Sequence, residues 1–240
     1  MNIDMNCDMG EGIGNDEAIM PFITSANIAC GYHAGNEETM RRTILLAKKH
    51  NVHIGAHPSF PDKENFGRTE MHCTPDEVYH LIYQQLQLFK SIVDECGAEF
   101  HHVKPHGALY NMAARDAQLA NAFSKAVKDF DCNLVVYGLS NSYLISEAKS
   151  LGLSAKQEVF ADRTYQEDGS LTPRSQANAL IDDEEKAVQQ ILQMVQQKTV
   201  TAVSGKEVPI VAETVCIHGD GKHAVQFAER LHRSLHKFNS

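Results

Sequence analysis

A β/α barrel with fewer than eight strand–helix units is the fold this sequence predicts. Three observations lead there. Short apolar runs alternate with helical patterns along the chain, which implies a parallel sheet with right-handed crossovers. Seven such units can be counted, with one hairpin inserted before the last strand. Six of the seven runs end in polar, reactive residues. In a barrel all strand C-termini open on one mouth, whereas an open sheet has its crevice at one switch point and cannot collect six strand ends. At 240 residues, a single domain over 1–240 is expected.

Ile3 to Cys7 alternates and ends in Asp8-Met-Gly-Glu11-Gly-Ile-Gly14, a strand followed by a Gly-rich loop. The glycines permit close backbone approach to a ligand, but their spacing is not that of a dinucleotide fingerprint. Ser25 to Cys30 is the second strand, and Asn36 N-caps a helix running to about His50. Val52 to Ala56 is the third strand, ending at His57-Pro58, and a long loop covers Ser59 to Cys73. Thr74-Pro75-Asp-Glu77 is a capping box opening a helix whose apolar face runs from Val78 to Val93.

Phe100 to Lys104 is the fourth strand. It delivers His101, His102, Lys104 and His106 into a Pro-His-Gly turn, after which a helical pattern begins. A helix over about Asp116 to Phe130 follows, then a fifth strand at Leu134 to Tyr137. A helix over about Ser142 to Leu151 leads to the sixth strand, Gln157 to Phe160, and a second long polar loop from Asp162 to Arg174. A helix over about Asp182 to Gln197, a hairpin over Thr199–Val203 and Val208–Val211, a seventh strand at Thr214 to Ile217 and a helix from about Lys222 to His236 complete the chain.

The net charge of -9 argues against a nucleic-acid partner or an anionic membrane surface. No run approaches the roughly 18 apolar residues of a membrane span, and the N-terminus lacks a basic and an apolar targeting region, so a cytoplasmic protein is expected. The six cysteines form no C-x-x-C pair and read as small buried residues in a reduced compartment. There is no P-loop and no G-x-S-x-G elbow.

The residues expected to converge are Asp8, Glu11, His33, His57, Lys104, His106, Asp162, Arg163, His218 and Asp220. Two chemistries compete for them. In one, Asp8, His33 and His57 hold Zn²⁺ or a related ion, which lowers the pKa of a nucleophilic water. In the other there is no metal, and Asp and His residues act as general base and acid on a substrate held by Lys104 and Arg163. His101 reads as structural. His102 alternates in phase with Lys104 and is expected to face inward in a second layer.

The segments Asn6–Glu11, Asn27–Gly35, Gly55–Ser59, Phe66–Arg68, Val103–Asn111, Glu158–Arg163, Asp168–Gly169, Pro173–Arg174 and Ile217–Asp220 together resemble the LamB/YcsF family from the first strand to the last. The resemblance implies an irregular seven-stranded β/α barrel of the glycoside hydrolase/deacetylase type. It implies ATP-dependent opening of the lactam 5-oxoproline to glutamate, carried out with partner subunits B and C, with ATP handled together with those partners and a divalent metal, Zn or Mg, at the site. Carried over to this chain, Asp8, His33 and His57 match a deacetylase-like metal position. Asp8, Glu11, His106 and Asp162 become candidates for catalysis. Lys104, Arg163, His218 and Asp220 become candidates for substrate binding. The alternative is a metal-dependent deacetylase or carbohydrate-metabolism hydrolase acting alone.

Overall fold

The alternation of apolar runs and amphipathic helices closes on itself. The computed structural model describes residues 3–217 and 224–238. Its strands are β1 (Asp4–Met9), β2 (Ser25–Ala29), β3 (His53–His57), β4 (Phe100–Val103), β5 (Val135–Leu139), β6 (Ala155–Phe160), a small pair β7 (Thr199–Thr201) and β8 (Glu207–Pro209), and β9 (Thr214–Ile217). Seven of them form a closed barrel in the order β1-β2-β3-β4-β5-β6-β9, with every neighbouring pair parallel. The expected barrel with its hairpin insertion is therefore present. The β7–β8 pair is antiparallel and lies outside the barrel sheet, so β6 pairs directly with β9.

The helices are α1 (Asp16–Ile19), α2 (Glu37–His50), α3 (Pro75–Glu95), α4 (Gly107–Arg115), α5 (Ala117–Phe130), α6 (Tyr143–Ser150), α7 (Glu184–Gln197) and α8 (Ala224–Phe238). The local signals act as expected. Asn36 accepts from the Thr39 amide at the start of α2, and Thr74 with Glu77 makes a reciprocal capping box on α3. Two features go beyond the sequence expectation. The short α1, with the 3-10 turn Met20–Phe22 behind it, lacks the length for a helical period to show. The helical pattern after the Pro-His-Gly turn is a separate helix, α4, and the expected helix over about Asp116 to Phe130 follows it as α5, because Asp116 leaves the helical conformation and its carboxylate caps the amides of Gln118 and Leu119. No described helix is long and apolar enough to cross a membrane.

β1 is buried along its whole length, and its two faces differ in chemistry. Met5, Cys7 and Met9 join the apolar layer between barrel and helices, together with Ile44, Ile82, Leu86 and Phe89 from α2 and α3. Asp4, Asn6 and Asp8 point the other way, into a polar barrel interior. Asp4 accepts hydrogen bonds from Thr24, Ser25 and Thr214. Asn27 donates to both Asn6 and Asp8. His102 does face inward: its Nε2 lies 2.8 Å from Asn27 Oδ1 and its ring stacks on Tyr137 at 4.2 Å. Gly55 makes room for that ring, since a Cβ there would lie 2.1 Å from His102 Nε2. Buried polar groups that satisfy one another avoid the penalty of orphaned donors and acceptors. This interior forms the floor on which the site is built.

Candidate metal centre and cavity

Four strand ends supply the centre. β1 carries Asp8 one residue before its end, and Gly10 at φ 70° turns the chain so that Glu11 folds back over the mouth. His33 follows β2, His57 ends β3, and Lys104-Pro105-His106 leaves β4, with His106 as N-cap of α4. Glu11, His33, His57 and His106 bring one ligand atom each to within 4.8 Å of one another. His33 and His106 stack at 3.8 Å, and both are buried with His57.

Outer hydrogen bonds decide which ring nitrogens carry protons. His57 Nδ1 lies 2.7 Å from the Lys104 carbonyl, and His106 Nε2 lies 2.9 Å from the Phe66 carbonyl. A carbonyl only accepts, so each of those nitrogens is the protonated one. Ser59 Oγ gives its own hydrogen to the Phe60 carbonyl, so it accepts from His33 Nδ1 at 2.9 Å. The inner nitrogens, His33 Nε2, His57 Nε2 and His106 Nδ1, are therefore bare lone pairs in the neutral rings. His57 Nε2 and His106 Nδ1 stand 2.9 Å apart, and Glu11 Oε1 is 3.2 Å from His33 Nε2 and 3.6 Å from His106 Nδ1.

Burial holds His33 down to about 3, with nearby His57 adding to the effect, and burial holds His106 well below the usual histidine range. Three imidazoles and one carboxylate aimed at a common point are what a cation requires. Metal-bound histidine commonly donates its outer ring N–H to a backbone carbonyl, as His57 and His106 do here. The donor set fits a metal ion.

Beneath the cluster, Lys104 is 2% exposed. Its Nζ lies 2.9 Å from Asp8 Oδ1 and 2.9 Å from Glu158 Oε1, and it donates to Asn6 Oδ1 at 3.2 Å. Burial alone would lower its ammonium pKa, but Asp8, Cys216 and Glu158 outweigh burial and hold it well above its ordinary value. Asp8 Oδ2 in turn lies 3.2 Å from His57 Nε2. The ammonium thus anchors two carboxylates in the barrel interior. Asp8 and Glu158 share that ammonium, while Glu11 lies with the imidazoles, 3.2 Å from His33 Nε2 and 3.6 Å from His106 Nδ1.

Above the cluster opens a cavity of about 770 Å³, walled by Asp8, Glu11, His57, Lys104 and His106 in its depth and by Arg68, Arg163 and Arg174 among its outer residues. Arg163 is buried and held by two carbonyls, Thr172 O at 2.6 Å and Ala179 O at 3.3 Å. Asp162 sits beside it, off the cavity wall. His218 and Asp220 lie outside the described residues.

The structure therefore brings Asp8, Glu11, His33, His57, Lys104 and His106 together. It places Glu11 and His106 in the ligand cluster with His33 and His57, while Asp8 sits next to that cluster and carries Lys104. Sequence reasoning assigned no role to Glu158, Arg68 or Arg174. Glu158 falls in phase with the inward positions of β6, and the two arginines close short motifs in the two long loops, so a signal for each was available.

The profile of the LamB/YcsF family matches residues 3–240. The A subunit of 5-oxoprolinase from Bordetella pertussis (strain Tohama I) is 52% identical over 240 residues, covering 98% of this chain and 95% of that protein. The crystal structure of a lactam utilization protein from Thermus thermophilus matches with a TM-score of 0.91 at 39% identity, over 100% of this chain and 98% of that one. A GH113 β-1,4-mannanase, 10% identical, matches with a TM-score of 0.50 over 98% of this chain and 99% of that one, and shares the barrel fold alone.

Proposed function

The chain belongs to the LamB/YcsF family, and from that premise we propose that it is the A subunit of a 5-oxoprolinase, opening the lactam of 5-oxoproline to glutamate in the cytoplasm. The observation that carries the reading is the cluster of three bare imidazole nitrogens and Glu11 at the base of a deep cavity. Hydrolysis of a cyclic amide needs a water made nucleophilic and an electrophilic ring carbon, and a metal supplies both. His33, His57, His106 and Glu11 would hold that metal. Three nitrogen donors favour Zn²⁺ or a similar transition ion over Mg²⁺, which prefers oxygen.

Asp8 Oδ2, fixed by Lys104 through its other oxygen, is the general base at the edge of the cluster. Lys104 positions both Asp8 and Glu158. Arg163 holds an anionic group of the substrate.

Opening a stable amide is coupled to ATP. ATP transfers its terminal phosphoryl group to the lactam oxygen, releasing ADP, and two waters then convert the activated ring to glutamate and inorganic phosphate. The first adds at the ring carbon as the C–N bond breaks and the amine takes a proton. The second releases phosphate from the resulting acyl phosphate. The first transfer falls to the partner subunits B and C, since this chain has no P-loop. Relatives at this level of identity carry the name of an oxoprolinase subunit, which favours this reading over a deacetylase acting alone. Glutamate release from 5-oxoproline, measured for the chain alone and with its partner subunits, with and without ATP, tests it. ATP-dependent glutamate only in the mixture is expected. Acetate release by the chain alone from acetylated sugars, with no glutamate from any active mixture, would overturn it.

A further inference from the structure

One row of barrel residues leads to the ligand cluster from within. Asp8 on β1 is paired in register with Asn27 on β2, Asn27 with Gly55 on β3, and Gly55 with His102 on β4. Gly55 has no side chain to fill its place in that row. The His102 ring lies there instead and reaches across β3 to Asn27. Tyr137 stacks on the ring and fixes its plane. Asn27 and His102 are both fully buried.

The donors along this row follow from one another. A carboxylate only accepts, so the Asn27 amide turns its Nδ2 to Asp8 Oδ1 at 2.9 Å, and the same nitrogen donates to Asn6 Oδ1 at 2.7 Å. Its Oδ1 is then the atom 2.8 Å from His102 Nε2, and that nitrogen carries the hydrogen. His102 Nδ1 is left bare in the neutral ring. It lies 3.2 Å from His101 Nδ1, which donates to it. His53 stacks on His101 at 4.1 Å. Burial, with His53 and Lys156 adding to it and Asp4 and Glu99 opposing, holds His101 down to about 4. Burial also holds His102 well below the usual histidine range. Both rings are thus neutral at neutral pH, as this order of hydrogen bonds requires.

We propose that His102 is a positioning residue, which through Asn27 fixes the carboxylate of Asp8, and that His101 holds His102 in the tautomer this requires. Asp8 Oδ1 receives both Asn27 and Lys104, and Oδ2 is thereby turned toward His57 in the ligand cluster. The Asn27 amide is held at its oxygen and at its nitrogen, so it cannot rotate. Without the His102 donor its Oδ1 loses that hold, and the grip on Asp8 loosens with it. The role in turnover rests on the reading of Asp8 as general base. The order of hydrogen bonds does not.

Nuclear magnetic resonance of the purified chain, labelled with nitrogen-15 in its histidine rings, tests the order directly, since a bare and a protonated ring nitrogen resonate far apart. His102, identified by its loss in His102→Gln, is expected as Nε2–H, and His101, identified by its loss in His101→Phe, as Nδ1–H. In the assembled enzyme at unchanged metal content, His102→Phe is expected to lower kcat for glutamate release about tenfold or more, with KM within about twofold of the parent. His102→Gln, whose amide donates to the same oxygen, is expected to restore kcat to within about threefold of the parent. A residue that only filled the barrel would give the reverse ranking, because Phe replaces the ring and Gln does not.

His102 found as Nδ1–H overturns the proposal whatever the kinetics. Unchanged turnover in His102→Phe, where Asp8→Asn abolishes it, overturns the positioning role, and so does a His102→Phe variant more active than His102→Gln. A loss of kcat that follows a loss of metal places the effect on the ligand cluster and overturns the route through Asp8. Glutamate release that persists in Asp8→Asn removes the general base instead, and the role in turnover with it, while the spectrum alone still decides the order of hydrogen bonds.

Discussion

His57 Nε2 and His106 Nδ1 face each other at 2.9 Å, and in the neutral rings neither carries a hydrogen, because each ring donates its one N–H to a backbone carbonyl. Two lone pairs at that distance repel unless a cation joins them. The purified protein is therefore expected to carry close to one equivalent of a transition metal, read by elemental analysis. His57→Ala and Glu11→Gln should each lower metal affinity by at least tenfold, while the circular dichroism of the barrel stays unchanged. Full metal retention in both variants would remove the metal from the site.

Lys104 has a structural cost that can be measured apart from catalysis. Replacing it with Met leaves Asp8 and Glu158 buried without their shared ammonium. Loss of one partner from a buried ion pair costs about 3–5 kcal/mol, so the urea midpoint of Lys104→Met should fall markedly. Adding Glu158→Gln to that variant removes one stranded charge and should recover part of the loss. A midpoint equal to that of the parent would show that the barrel interior tolerates the charges alone.

Gly107 adopts φ 57°, and a Cβ there would lie 2.4 Å from the carbonyl oxygen of Gly67. That oxygen accepts from the Ala108 amide, so it cannot retreat without breaking the start of α4. Gly107→Ala is expected to cost about 1–3 kcal/mol. It should also shift the adjacent His106 and speed metal loss, observable as faster release to a chelator. Unaltered thermal stability and release would refute the steric account.

The thiols divide by burial. Cys7, Cys30 and Cys216 are buried; burial pushes Cys30 up to about 12 and holds Cys7 and Cys216 well above the usual thiol range. Cys132 is exposed. Brief alkylation of the native protein, mapped by mass spectrometry, should label Cys132 first and reach the three buried thiols only on unfolding. Early labelling of Cys216 would contradict the closed β6–β9 seam.

Most of the barrel was legible because its signals are local. The strands are short runs that are apolar or alternate apolar with polar residues, and Asn36, Thr74 and Glu77 announce their helices through caps that depend on three or four neighbouring residues. His33 and His57 were legible for the same reason: each stands within a few residues of the end of an apolar run. Glu11 was harder, because its place over the mouth depends on the left-handed turn at Gly10, which is written in backbone angles rather than in side-chain pattern. The division of Asp8 from the ligand cluster was not legible at all. It depends on Lys104 arriving from β4, 96 residues away, to take one of its oxygens. The polar interior was hidden too, since Asp4, Asn6 and Asp8 alternate as they would on a solvent-facing strand, and only closure of the sheet turns that face inward.

Because β6 pairs directly with β9, the chain between them is absent from the barrel sheet. The metal cluster is complete by residue 106, whereas Arg163 and Arg174 belong to that excluded stretch. On the reading proposed for the site, the reacting centre and these two arginines of the cavity wall are thus written in different parts of the chain. A loop exchange between Asp162 and Asp182 would redraw what the cavity accepts while leaving the reacting centre untouched, which makes this segment the natural place for members of one barrel lineage to diverge in substrate.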